Sequence, residues 1–345
     1  MVGDYTLKRQ FEFDFMRSIA ILLILLTHLP GYGIGSLTSI NEFFHVGHLG
    51  LGLFIFMSGY LLYATTSNLK SGNIFSFYKK KLIRIYPLYL IALISFFITF
   101  ELIFKDIGFD FALPFKASFT SYLIHFLGAQ VLLAPEYVTP ILTLWYIGLI
   151  LLYYLLYPVL VIKSRNLNDI VLRSIFIVVI FAALHVLFNI IEVRFFYYYF
   201  VFITGIISSH KNIFSNMNFS RFIPIMLILY ISTFPVFRRM SSLNIFGEIF
   251  IIYMLVVPFI FLTYYAGRKI SQISSVRLQN FFLLVSTSSY CVYLFHRPIL
   301  ALFYSAGLMF NPYIGGLAVL LLGIPATFVI GYYIQISESK LLHKK

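Results

Sequence analysis

Eleven stretches of nearly continuous apolar sequence, each close to the ~20 residues that carry a helix across a bilayer, constrain this chain more than any other feature. They cover residues 12–30, 46–66, 86–104, 116–134, 140–162, 170–190, 195–209, 219–236, 246–266, 281–304 and 313–336. Hydrophobic residues make up 61% of the 345 and charged residues 11%. Soluble domains carry roughly 45–50% and about 25%, so a soluble globular domain, a disordered chain, a collagen and a coiled coil are excluded. The tracts between the apolar runs are too short for a second domain. The expectation is an all-α, polytopic integral-membrane bundle, with residues 1–345 as one membrane-embedded domain and no appended soluble domain. The single cysteine, Cys291, allows no internal disulfide and lies in an apolar run, as an inert buried thiol does. Lys8 and Arg9 followed by the apolar Ile19–Leu29 imitate a signal peptide. The following Leu29-Pro30-Gly31-Tyr32 offers no small-residue cleavage site, so the segment reads as a retained first helix.

The net charge of +13 sits mostly between the apolar runs, so it reads as a topology signal rather than a nucleic-acid footprint. If all eleven segments span, with the N-terminus in the cytoplasm, the basic residues fall slightly in excess outside, against the positive-inside bias. If 116–134 does not span, nineteen basic residues lie inside and five outside. That segment is also interrupted by Ser118, Thr120, Ser121, His125 and Gln130. The charges therefore predict ten spanning helices with both termini cytoplasmic. Residues 105–139 become an extracytoplasmic re-entrant or interfacial element, tolerated where protein buries it. Residues 125 and 166 are then expected on opposite sides of the membrane.

Ionisable groups inside spans are costly and mark function. Arg17 and His28 are eleven residues apart, three turns plus about 20°, so they share one face of the first helix about 16 Å apart along its axis. Asp14, three residues before Arg17, is placed to pair with it. The second span opens with His45 and His48 and continues through Gly50, Gly52, Ser58 and Gly59, a small-residue run suited to close helix packing. Close approach of the first two helices would bring His48 near His28. No carboxylate cluster accompanies these histidines, so no metal site is expected. The basic stretch Lys79-Lys80-Lys81-Leu82-Ile83-Arg84 serves equally as a topology anchor or as a phosphate site with Lys81 and Arg84 on one face. Trp145 by itself reads as an aromatic-belt residue. The ninth span carries Tyr293, His296, Arg297 and Pro298, placing the His-Arg pair in the outer half, at the depth of His28.

Taken together, these residues resemble the membrane-bound acyltransferase 3 family. The matching features run in the family's order over about residues 11–338. They are Arg17 and His28 in the first helix, Phe54–Tyr60 ending in Ser-Gly-Tyr, the basic stretch closing on Arg84-Ile85-Tyr86-Pro87, the pair Leu144-Trp145, and Ser289-Tyr290 through His296-Arg297-Pro298. The resemblance implies an O-acyltransferase of the cell membrane that moves an acyl group, often acetyl, from cytoplasmic acyl-CoA to a hydroxyl of a cell-envelope glycan. It implies catalysis by His28 with Arg17, which Asp14 would orient, and acyl-CoA phosphates on Lys81 and Arg84. His48, Ser58, Trp145, Tyr293, His296 and Arg297 become candidates for the substrate side. Implied partners are the lipid bilayer and a glycan or lipid-linked sugar acceptor, with no nucleic acid and no metal. Lys81 departs from the family's arginine, keeping the charge but losing the bidentate fork. Ile150 stands where some members carry a glutamate. His28 as general base and His28 as acyl-imidazole nucleophile both stay open. So does a transporter or exporter of a polysaccharide or lipid-linked intermediate, although no paired repeat of the kind transporters show is visible. A non-catalytic membrane scaffold is the third reading.

Overall fold

The computed structural model describes residues 10–104, 118–237 and 244–343. Among them there are helices and no strands. The helices are α1 (Phe11–His28), α2 (Thr38–Phe44), α3 (Val46–Thr66), α4 (Ile74–Phe96, prolonged as a π-helix through Phe97–Ile103), α5 (Phe119–Phe126), α6 (Trp145–Val161), α7 (Leu167–Phe188), α8 (Arg194–His210), α9 (Ile213–Asn216), α10 (Phe219–Phe237), α11 (Ile245–Ile273), α12 (Val276–Leu308), α13 (Pro312–Ala318) and α14 (Ile324–His343). In this setting the backbone has no water to bond with, so the helix, which satisfies its own N–H and C=O groups, is the form each apolar run takes.

Nine of the described helical segments, those built on α1, α3, α4, α6, α7, α10, α11, α12 and α14, are long and apolar enough to cross a membrane. The 17-residue α8 is the tenth, because it runs beside α3 in the same direction. His48 meets Tyr198 at one end, and Tyr63 meets His210 at the other. Small residues permit this approach: a Cβ on Gly59 would lie 2.2 Å from the Phe202 carbonyl oxygen, and one on Gly205 would lie 2.3 Å from that of Phe56. Two of the outer helices, α7 and α10, are buried over only 17% and 11% of their apolar windows, as lipid-facing helices should be.

The segment 116–134 does not cross. Its helix, α5, has eight residues, far short of a span. Residues 118–139 instead lie against the protein through a buried subset, Ser121, Ile124, His125, Gln130, Val131, Ala134 and Val138. His125 is fully buried, with Nδ1 2.7 Å from the Ser121 carbonyl and Nε2 accepting the Ile141 N–H at 2.8 Å. Gln130 donates to the Leu144 carbonyl at 3.0 Å, and Tyr89 donates to the His125 carbonyl at 2.7 Å.

Helix directions give an independent check on the number of crossings. α1 and α12 run parallel: Ser286 meets Asp14 near the start of α1, and His296 meets His28 at its end. Parallel α1·α12 and parallel α3·α8 both require an odd number of crossings between the members of each pair, and the ten helices supply it: α4, α6 and α7 lie between α3 and α8, and α3, α4, α6, α7, α8, α10 and α11 between α1 and α12. An eleventh span at 116–134 would reverse α8 against α3 and α12 against α1. α14 runs antiparallel to α12, with Gln335 beside Cys291 and Gly323 beside Leu300. The described chain therefore begins and ends on one face. Lys8, Arg9, Lys105, Lys116, Arg238, Arg239, Lys344 and Lys345 of the charge count, and residues 105–117 of the re-entrant element, lie outside the described residues.

Candidate active site

Two features meet between α1, α3, α4, α6, α12 and α14. The first is a cavity of about 620 Å³. Its mouth lies on the face where the chain begins and ends, and carries Arg17, Lys81, Arg84, Thr65 and Glu338. Its walls run through Leu61, Ser58, Met57 and Ile150 to a floor at Phe54, Tyr146 and Tyr293. Along α3 the lining runs from Phe54 to Thr65, about 16 Å of helix. The second feature is a histidine pair beyond that floor: the rings of His28 and His296 stack with centroids 5.2 Å apart and planes 25° apart.

The mouth is built by sequence-local pairs. Lys81 and Arg84 stand three residues apart on α4 and so share a face. The Lys81 ammonium lies 5.7 Å from the centroid of Phe77 and 5.3 Å from that of Tyr154, its stem laid along aromatic rings while its charge looks into the cavity. Arg17 meets Asp14 at 3.6 Å one turn earlier on α1. Ser286 of α12 closes a three-membered cluster, donating to Asp14 at 2.6 Å and accepting from Arg17 at 3.3 Å. Asp14 is 3% exposed, so its carboxylate is retained by these contacts and not by water. Three cations against one carboxylate, Glu338, at the mouth of a cavity with mixed polar and apolar walls suit an elongated ligand with a polyanionic head and a thin, less polar arm.

The floor connects the cavity to the histidines. The ring of Tyr293 lies 5.1 Å from that of Tyr146 and 6.1 Å from His296, by centroids, and its hydroxyl donates to the Thr143 carbonyl. His296 sits one turn further along α12, fully buried. Arg297, 7% exposed, holds its guanidinium 5.7 Å from the centroid of Tyr32, whose hydroxyl donates to the Arg297 carbonyl at 3.1 Å.

The structure brings Arg17, Lys81, Arg84, Ser58 and Tyr293 to one cavity, with Asp14 holding Arg17, and it joins His28 to His296. It does not bring His48 to His28. α1 and α3 do approach closely, the Cβ position of Gly50 being 2.9 Å from the Ala20 carbonyl oxygen. His48, however, faces α8, where its Nδ1 lies 2.8 Å from the Tyr198 hydroxyl. Trp145 stands off the cavity too: Arg194, paired with Glu192 at 2.6 Å, covers its ring at 3.9 Å. Sequence reasoning missed Ser286 and Tyr146. Ser286 was signalled by the hydroxyl run Ser286-Thr287-Ser288-Ser289 inside a span; Tyr146 carried no signal among 26 tyrosines. Among the described residues, no three metal-ligating side chains cluster.

No curated protein and no solved structure matches the chain. The family model Acyl_transf_3, described as an acyltransferase domain, matches residues 10–336, a range that includes the cation-mouthed cavity and the histidine pair, and the chain belongs to this family of membrane acyltransferases.

Proposed function

We propose that the protein is an O-acyltransferase of the cell membrane that takes an acyl group, acetyl in the simplest case, from cytoplasmic acyl-CoA and places it on a hydroxyl of a cell-envelope glycan or lipid-linked sugar. The observation that carries this reading is the cavity mouthed by Arg17, Lys81 and Arg84, directed along α3 toward Tyr293 and the histidines. Both chain ends and the cavity mouth lie on the cytoplasmic side in this reading, as the nineteen-to-five charge count asks. Residues 1–345 act as one membrane-embedded domain.

Lys81 and Arg84 hold the phosphates of the donor by charge-assisted bonds, and Arg17, steadied by Asp14 and Ser286, holds a third anionic group or the carbonyl of the arm. Ser58 and Tyr293 line the route of the arm. His28 is the reacting group. As general base it takes the proton from the acceptor hydroxyl while oxygen attacks the thioester carbon, the C–S bond breaks and sulfur leaves with the electron pair and takes up a proton. As nucleophile it carries the acyl group itself before the hydroxyl takes it. Trapping radiolabelled acyl groups on the wild-type chain, and not on His28→Gln, selects the second route. His48, Trp145, His296 and Arg297 lie toward the outer half, on the acceptor side.

The direct experiment compares cell-envelope glycans by mass spectrometry from cells with and without the gene. The expected result is loss of the mass increment of an acetyl group, or of another acyl group. Unchanged acylation together with loss of export of a polysaccharide or lipid-linked intermediate would overturn the reading.

A further inference from the structure

His296 is fully buried. Its Nδ1 lies 2.8 Å from the Tyr293 carbonyl and 3.1 Å from that of Val292. Carbonyls only accept, so Nδ1 carries the ring proton and Nε2 keeps a bare lone pair. That Nε2 is buried and has no hydrogen-bond partner. Leaving a buried acceptor unsatisfied is costly, and such a group calls for a function. The ring stacked against it is His28.

We propose that His296 is the proton relay of His28: a group that touches no substrate but receives, through His28, the proton released by the acceptor hydroxyl. This rests on the reading of His28 as the reacting group. As the acceptor oxygen bonds to the thioester carbon, one ring nitrogen of His28 takes the hydroxyl proton. The other gives its proton to Nε2 of His296 after the stacked rings turn edge to face. When the C–S bond breaks, the departing sulfur takes a proton back along the same path. Nothing is oxidised or reduced, and both histidines end as they began. The carbonyls of Val292 and Tyr293 do for His296 what a carboxylate does for a triad histidine, fixing the tautomer and steadying the transient imidazolium. Arg297, the next residue, opposes that charge, so the proton is held only in transit.

The test uses the full chain in membranes, with radiolabelled acetyl-CoA as donor and the resident glycans as acceptor. His296→Phe keeps a stacked ring and removes Nε2. The expected result is a loss of about a hundredfold in turnover, the lower end of what acid–base groups supply, with KM for acetyl-CoA unchanged. In mixtures of light and heavy water, the wild type should show a curved rate dependence from two protons moving together, and the variant a straight one. Nitrogen-15 spectra of the wild type should show Nδ1 protonated and Nε2 bare at His296, with the Nε2 signal moving in His28→Ala. A proton on Nε2, or a wild-type-like curve in His296→Phe, overturns the relay even if His28 is essential. Survival of transfer in His28→Gln overturns the underlying reading instead.

Discussion

At the scale of single residues, the site divides into groups that carry charge and groups that exchange a proton. His28 is the first-helix group able both to exchange a proton and to attack a thioester. A bystander histidine would tolerate glutamine, which keeps a hydrogen bond. His28→Gln is therefore expected to lose at least about two orders of magnitude in transfer rate, with normal membrane insertion judged by yield and a monodisperse elution profile. Near-normal transfer in that variant would move the chemistry elsewhere. Lys81→Ala and Arg84→Ala remove charged contacts worth roughly 1.5–3 kcal/mol each, so the apparent KM for acyl-CoA should rise on the order of tenfold while the dependence on acceptor changes little. An unchanged donor dependence would return both residues to anchoring the chain in the bilayer. Ser286, which joins Asp14 to Arg17 from a helix 269 residues away, is the group a sequence reading has no means of pairing.

At the scale of elements, the contact between α3 and α8 is decided by backbone proximity. Small residues there replace a hydrophobic driving force that lipid does not supply. The Cβ of a residue at Gly205 would press on the Phe56 carbonyl, part of a helix backbone that has no rotamer to change. Gly205→Val should cost about 1–3 kcal/mol from overpacking and lower the thermal midpoint of the detergent-solubilised protein. Gly35→Ala, where nothing lies within 4 Å, is the control expected to stay within about 0.5 kcal/mol. Equal midpoints for the two variants would mean that the helices do not touch there. The short α5 element has a pH signature of its own. Burial lowers the pKa of His125 to about 4, and its Nε2 must stay bare to accept the Ile141 N–H. An unfolded histidine titrates near 6.5 and so binds its proton first. Stability contributed by this site is whole above pH 6.5 and falls away as pH drops toward 4. His125→Gln should flatten that fall in thermal midpoint between those pH values, and an unflattened curve would place the loss elsewhere.

At the scale of the whole molecule, two parallel helix pairs and one antiparallel pair agree with ten crossings, and the charges predict the sidedness of the bundle. Glu136 and Arg165 are both exposed and flank the two ends of α6. With Cys291 replaced by alanine, a single cysteine at Glu136 should react with an impermeant thiol reagent from outside intact cells, and one at Arg165 should react only after the membrane is opened. Arg165 is preferred to Asn166, whose side chain caps α7 through the Asp169 N–H. The reverse labelling pattern would put the cation-mouthed cavity on the outer face and remove its access to cytoplasmic acyl-CoA.

That this chain is a helical membrane protein, that 116–134 is the segment least able to span, and that Arg17 and His28 share a helix face are all legible in the residues alone. Each follows from a local or additive property: apolar length, polar interruption, summed loop charge, the 100° step of a helix. The sequence also places Lys81 beside Arg84 and Asp14 beside Arg17, because three residues on a helix are always neighbours. Which helices touch is legible only once the chain is folded. Lipid solvates every apolar helix face alike, so the apolar pattern of a span says little about which neighbour it meets. The partner of each buried polar group is set by packing between segments far apart in the chain. That is why His48 turned to Tyr198 and not to His28, why Trp145 came to lie under Arg194, and why His28 found its stacking partner in His296, 268 residues further along.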